Sequence, residues 1–105
     1  MPQDDTPLVD EDLINAARAA FHGDFGAVLQ ISPHDSAPFY IDGRGEEIVV
    51  SELPPKEPST IWLSGKTTLM SVLQRTRALE NAYLSGRLQI AGDMSVMARL
   101  VMKGR

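Results

Sequence analysis

Residues 63–70 read Leu-Ser-Gly-Lys-Thr-Thr-Leu-Met, and Gly65-Lys66-Thr67 is how a phosphate-binding loop ends. In such a loop two glycines let the backbone wrap its N–H groups around a nucleotide's phosphates, and the lysine adds charge. The first glycine belongs at position 60, which is Thr60. Thr60 to Ser64 have strand composition, so their N–H groups are expected to bond a neighbouring strand and not a phosphate. A downstream strand ending in a magnesium-binding Asp is also required. Asp93, after "LQIAG", reads instead as a helix cap. The motif therefore predicts a strand-to-helix corner with Lys66, Thr67 and Thr68 as a solvated first turn. A lysine there opposes the helix dipole, and nothing in the sequence accounts for it.

Other chemistry-bearing residues are sparse. His22 and His34 are the only histidines, and neither has a partner at metal-ligating spacing. His34-Asp35-Ser36 are consecutive and cannot form a triad among themselves. Glu46-Glu47 reads as a solvated edge, not a tuned acid–base pair. The absence of cysteine excludes disulfides, thiol nucleophiles and thiolate metal sites, and fits a reducing compartment. The expectation is no catalytic residue, no metal and no cofactor.

The chain has 105 residues, 43% apolar and 23% charged, enough for one domain with a modest core. Aromatics make up only 6%, so aliphatic residues and five methionines must fill most of the interior. The acidic start "MPQDDTPLVDED" is unlike a secretory or mitochondrial leader, and "MKGR" is not a peroxisomal address. No apolar run is long enough to span a bilayer, so a soluble cytoplasmic protein is expected. Residues 1–65 carry three basic against twelve acidic side chains, and residues 66–105 seven against two. One reading is a dipolar fold with the acidic first helix beside later basic elements. The other is a basic face, with residues 75, 77, 87, 99 and 103, that meets an anionic membrane or an acidic partner. Nucleic acid is not expected, because the chain is acidic overall and its basic residues lack aromatic stacking partners.

The elements that must position any site follow from periodicity. Residues 1–9 read as a flexible acidic start and 10–105 as the domain. Asp10 caps a helix whose stripe is Leu13, Ile14, Ala17, Ala20 and Phe21, with Gly23 ending it. "GAVLQIS", "FYI" and "EIVVSEL" read as strands, the last two joined through Asp42-Gly43-Arg44-Gly45 as a hairpin. "PPKEP" is a crossover linker. "STIWLS" is a strand with Ile61 and Leu63 facing one way and Trp62 the other. A helix with Leu69, Val72 and Leu73 follows, its pattern interrupted from Arg75 to Ala78, and "LENAYLSG" adds a turn or two closed by Gly86. "RLQIAG" is a strand with Leu88 and Ile90 inward. Asp93 caps a last helix in which Met94, Met97, Ala98 and Val101 share a face widened by Val96 and Leu100. The expected class is α+β, a single domain with a mixed sheet of about five strands and helices on one face. Its order is helix, four strands, helix, strand, helix.

"YLSGRLQIAGDMSVMARL" (83–100) resembles the C-terminal signature of the sterol carrier protein family of non-specific lipid-transfer domains. It carries Leu84, Gly86, Arg87, Leu88, Ile90, Gly92, Asp93 and the apolar run from Met94 to Leu100. The resemblance implies non-catalytic binding of a fatty acyl, isoprenoid or sterol-like molecule in a tunnel between helices and sheet. The last helix is apolar over more than half its circumference, and methionines at 70, 94, 97 and 102 suit a surface that adapts to its ligand. The candidate lining residues are Phe25, Leu63, Leu69, Leu73, Leu79, Tyr83, Ile90, Met94, Met97 and Val101. The alternative the resemblance admits is an accessory or scaffold protein, such as a ubiquinone-biosynthesis factor, that holds a quinone-like ligand or docks a protein partner through its last helix.

Overall fold

In the computed structural model, which describes residues 8–74 and 78–100, helix α1 runs Glu11–Ala20. Asp10 sets its start. One carboxylate oxygen accepts from the N–H of Asp12 at 3.0 Å and of Leu13 at 3.3 Å, satisfying donors that have no partner within the helix. Leu13, Ile14, Ala17 and Ala20 form its buried stripe. The helix ends where Phe21 turns extended, before Gly23. Gly23 supplies clearance instead, since a Cβ there would collide with the Glu46 carbonyl. Of the residues expected to be a flexible start, 1–7 lie outside the described residues. Leu8 accepts a hydrogen bond from Ala37, and Val9 packs on the core.

Five strands form one mixed sheet: β1 (Val28–Pro33), β2 (Phe39–Asp42), β3 (Val49–Ser51), β4 (Thr60–Ser64) and β5 (Gln89–Gly92). Their order is β3-β2-β1-β4-β5, with β1 and β4 parallel and every other pair antiparallel. The hairpin through Gly43 forms as expected, pairing Ile41 with Val50. Gly43 is required because the Phe25 ring lies where its Cβ would be. From β3 the chain must pass β2 and β1 to reach β4, three strand spacings of about 4.8 Å each. Extended residues 52–59, at about 3.1 Å apiece, are long enough to do so.

Strand alternation sorts the sheet into two faces. Leu29, Ile31, Phe39, Ile41 and Trp62 point to the helices and are fully buried. Gln30, Ser32, Tyr40, Ile61 and Leu63 point away and keep some exposure. The expected alternation of β4 is present, but its sense is reversed: Trp62 faces the core, and Leu63 is 37% exposed on the far side. The reason lies in its flanks. Thr60 and Ser64 share Trp62's face and are buried, yet each hydroxyl has a partner, donating to the Asp93 carbonyl at 2.7 Å and the Arg87 carbonyl at 2.6 Å. Burial of a hydroxyl is inexpensive once it is hydrogen-bonded. Phe21 lies 5.8 Å from Trp62 and 6.4 Å from Phe25, centroid to centroid, tying α1 to this layer.

Helix α2 (Lys66–Leu73) follows β4 directly and packs on α1 with Leu69, Val72 and Leu73 buried. The strand character of Thr60–Ser64 disposes of the phosphate loop, because β4 is paired on both sides. Lys66 also acquires a reason. Its Nζ lies 3.1 Å from carboxylate oxygens of both Asp10 and Asp12, joining the N-terminal ends of α1 and α2. The unfavourable position on its own helix is offset by two anions on the next one. This is the acidic-helix-beside-basic-element arrangement that the charge distribution suggested.

Candidate functional site

At the β5 end of the sheet the cover is thinner. Helix α3 (Leu79–Leu84) has one buried residue, Ala82, and helix α4 (Ser95–Arg99) has one, Val96. Between them lies a cleft of about 240 Å³ lined by Leu79, Glu80, Tyr83, Ile90, Met94 and Met97. Helical spacing brings Leu79, Glu80 and Tyr83 to one side. Gly86, at φ 82, then closes α3: its N–H bonds the Tyr83 carbonyl, and that of Arg87 bonds the Ala82 carbonyl. This double bond pattern is the glycine stop expected of a helix end, and it reverses the chain into β5. Ile90 is paired with Trp62 and shares its face, forming the cleft floor.

The far wall is fixed by two anchors. The Asp93 carboxylate accepts from the Ser95 hydroxyl at 2.6 Å and the Ser95 N–H at 2.9 Å. These bonds hold its carboxyl below the usual carboxylate range. Met94, not the expected Asp93, occupies the cap position itself, and Asp93 holds the start of α4 from one residue earlier through Ser95. At the other end Arg99 Nε donates to the Phe25 carbonyl at 2.9 Å. Met97 leans inward, and the buried Trp62 indole N–H donates to its sulfur at 3.4 Å. Thioether sulfur is a weak acceptor.

The structure brings together Leu79, Tyr83, Ile90, Met94 and Met97 from the expected set. Phe25, Leu69 and Leu73 are instead in the core at 1%, 0% and 3% exposure and are not among the residues lining the cleft. Leu63 is on the opposite sheet face, and Val101 lies outside the described residues. Two features were missed. Among the described residues Glu80 is the cleft's one charged lining residue, and its three-residue spacing from Tyr83 was the available signal. Trp62 backs the cleft because β4 is oriented opposite to expectation. Of the basic residues considered for a membrane face, Arg87 is exposed, Arg99 is engaged with Phe25, and positions 75, 77 and 103 lie outside the described residues.

A larger depression, about 480 Å³, lies between the end of α1 and residues 46–48 and is lined by Arg18, Phe21, His22, Gly23, Glu46, Glu47 and Ile48. Its histidine and glutamates do not converge. Among the described residues no group of three His, Asp or Glu side chains is placed to hold a metal ion, and no helix is long and apolar enough to cross a membrane.

Neither a protein-family model nor a curated protein sequence matches the chain. Solved structures do. UbiJ-SCP2, a ubiquinone synthesis protein, superposes with TM-score 0.60 at 16% identity over 87% of this chain and 75% of that one. Sterol carrier protein 2 like 2 from Aedes aegypti gives TM-score 0.61 at 16% identity over 85% and 90% of the two chains, and its palmitated form in solution gives 0.59. The sec-alkylsulfatase Pisa1 from Pseudomonas sp. gives 0.56 at 19% identity, with 86% of this chain on 13% of that chain. The chain therefore has a sterol carrier protein-like fold.

Proposed function

We propose that the protein binds an apolar molecule, such as a fatty acyl, isoprenoid or quinone-like chain, in the cleft between α3, β5 and α4, and catalyses no reaction. The observation that carries this reading is a concave surface whose lining is almost wholly apolar and which leaves Tyr83 at 42% and Met94 at 43% exposure. Apolar groups held open to water gain about 0.8 kcal/mol per CH₂ group they cover. At about 240 Å³ the cleft is smaller than most small-molecule pockets, which run from about 300 Å³, so it grips one end or segment of a long ligand. The palmitated state of a protein with the same fold is consistent with this.

Mass spectrometry of an organic extract of the purified protein tests the reading, followed by titration with palmitate and with the neutral dye Nile red. A stoichiometric apolar molecule, or saturable binding of either probe, is expected. No co-purifying ligand together with no saturable binding sinks it.

A second reading, an accessory protein that docks a partner, rests on Leu84, which stands 75% exposed on α3 beside the cleft. The likeness to UbiJ-SCP2 makes a place in quinone biosynthesis the natural setting for it. Leu84→Asp would abolish partner capture while leaving Nile red binding in place. Loss of both together would argue for a single ligand function. The exposed Arg87, just before β5, is a candidate contact for an anionic membrane, which added salt would disrupt.

A further inference from the structure

Trp62 is the one tryptophan, is fully buried, and spends its indole N–H on a thioether. Buried indole N–H groups ordinarily reach an oxygen, and a sulfur acceptor returns less of the lost hydration. The sulfur belongs to Met97, which lines the cleft, and Ile90, the pairing partner of Trp62, lines it too. The donor is therefore one flexible side chain away from the candidate ligand. Methionine has three rotatable bonds and withdraws readily. Burying a carboxylate against the apolar walls of the cleft costs far more than burying a neutral oxygen.

Building on the cleft as a ligand site, we infer that it selects apolar molecules carrying a neutral oxygen acceptor, a carbonyl or ether, which displaces the Met97 sulfur and takes the Trp62 indole N–H. Met97 is then the exchangeable cover of a specificity-determining donor. Simple hydrocarbon binds by burial alone, and a ligand with its oxygen at the right depth gains one further hydrogen bond.

A single tryptophan makes the test direct, because isotope-labelled protein gives one indole N–H resonance. The probes are methyl nonyl ketone, undecane and undecanoate, with Tyr83 and Met94 signals reporting occupancy. Ketone is expected to shift the indole resonance downfield at saturation, and undecane to occupy the cleft with that resonance in place. Undecanoate is expected to bind more weakly than ketone. Met97→Leu keeps the volume but removes the sulfur acceptor. It should raise the ratio of ketone to undecane affinity by about 2- to 10-fold, the range one neutral hydrogen bond supplies. A ketone-saturated cleft with an unmoved indole resonance overturns the inference, as does an equal shift with undecane. Undecanoate binding as tightly as ketone overturns the preference for a neutral oxygen. If no probe perturbs Tyr83 or Met94, the ligand-site reading itself falls and takes the inference with it.

Discussion

The helix-covered face of the sheet is closed at one end and open at the other. Under α1 and α2 the side chains of Leu13, Phe21, Trp62, Leu69 and Val72 are at most 1% exposed. On α3 and at the start of α4, Tyr83 and Met94 are more than 40% exposed. Composition does not separate the halves, since both are aliphatic. Cover does: α1 and α2 span ten and eight residues and bury four and three, whereas α3 and α4 span six and five and bury one each. Short helices have little intrinsic stability and depend on what they dock against. The closed half is the platform, and the open half is a surface held in shape by that platform.

The sharpest break between the halves is Leu69→Ala. Leu69 is fully buried in the closed half, so truncation should cost about 2–5 kcal/mol by lost burial and a residual cavity. Urea unfolding measures this directly. A loss well under 1 kcal/mol would mean that the closed half is looser than its burial implies. Gly92→Ala comes next and acts at the seam. Gly92 has φ 94, and a Cβ there would collide with the Ser59 carbonyl between β4 and β5. A strained residue of this kind costs about 1–3 kcal/mol, read as a lowered melting temperature. The same variant should loosen α4, so Nile red binding should weaken along with stability.

The lock between α1 and α2 gives the next smaller effect and a pH signature. Partial burial pushes the Asp10 carboxyl up, but the Lys66 ammonium and the Leu13 and Asp12 N–H groups outweigh it and bring it below the ordinary 3.8. A lowered folded value means the stabilisation is fully present above about 3.8 and is lost as pH falls through that lower value. The Lys66 side is opposite. Hydrogen bonds to Asp10 and Asp12 raise its ammonium above 10.5, so its share is present below that pH and is lost as pH rises through the raised value. Asp10→Ala should therefore cost about 1 kcal/mol near neutrality, mostly as a lost cap, and the gap from the parent should narrow below pH 3.8. A gap independent of pH would mean that neither the Lys66 pair nor the capped N–H groups favour the charged carboxylate, and a lowered Asp10 value would be ruled out.

These effects also show why the sequence was legible in some places and not in others. The Asp10 cap, the buried stripe of α1, the Gly86 stop and the order of elements all rest on contacts within a few residues, and each was readable. The direction of β4 was not. Alternation sorts Thr60, Trp62 and Ser64 from Ile61 and Leu63, but hydropathy favours the wrong set as inward. The hydroxyl bonds that reverse the choice reach Asp93 and Arg87, more than twenty residues away. Lys66 was opaque for the same reason, its partners being on α1. In the site, Tyr83, Ile90, Met94 and Met97 belong to the segment that carried the family resemblance. Phe25, Leu69 and Leu73 lie in the buried core and not along this cleft. The sequence could not tell the two placements apart, because apolar residues that fill a core and those that line a cleft are locally alike.

Met94→Ala should have the smallest effect on stability and the most selective effect on function. Met94 stands at the cleft rim, 43% exposed, and forms no part of the buried core cluster. Substitutions at such positions usually change stability by no more than about 0.5 kcal/mol. Its outer atoms are what a bound chain would cover, and losing roughly two methylene equivalents at partial burial weakens binding by about 1 kcal/mol, or fivefold. The two measurements, melting temperature and Nile red affinity, should thus separate for Met94→Ala and move together for Gly92→Ala. If Met94→Ala lowered stability as much as Gly92→Ala did, α4 would be an integral part of the core. The contrast between a closed platform and an open binding surface would then fail at the element on which it most depends.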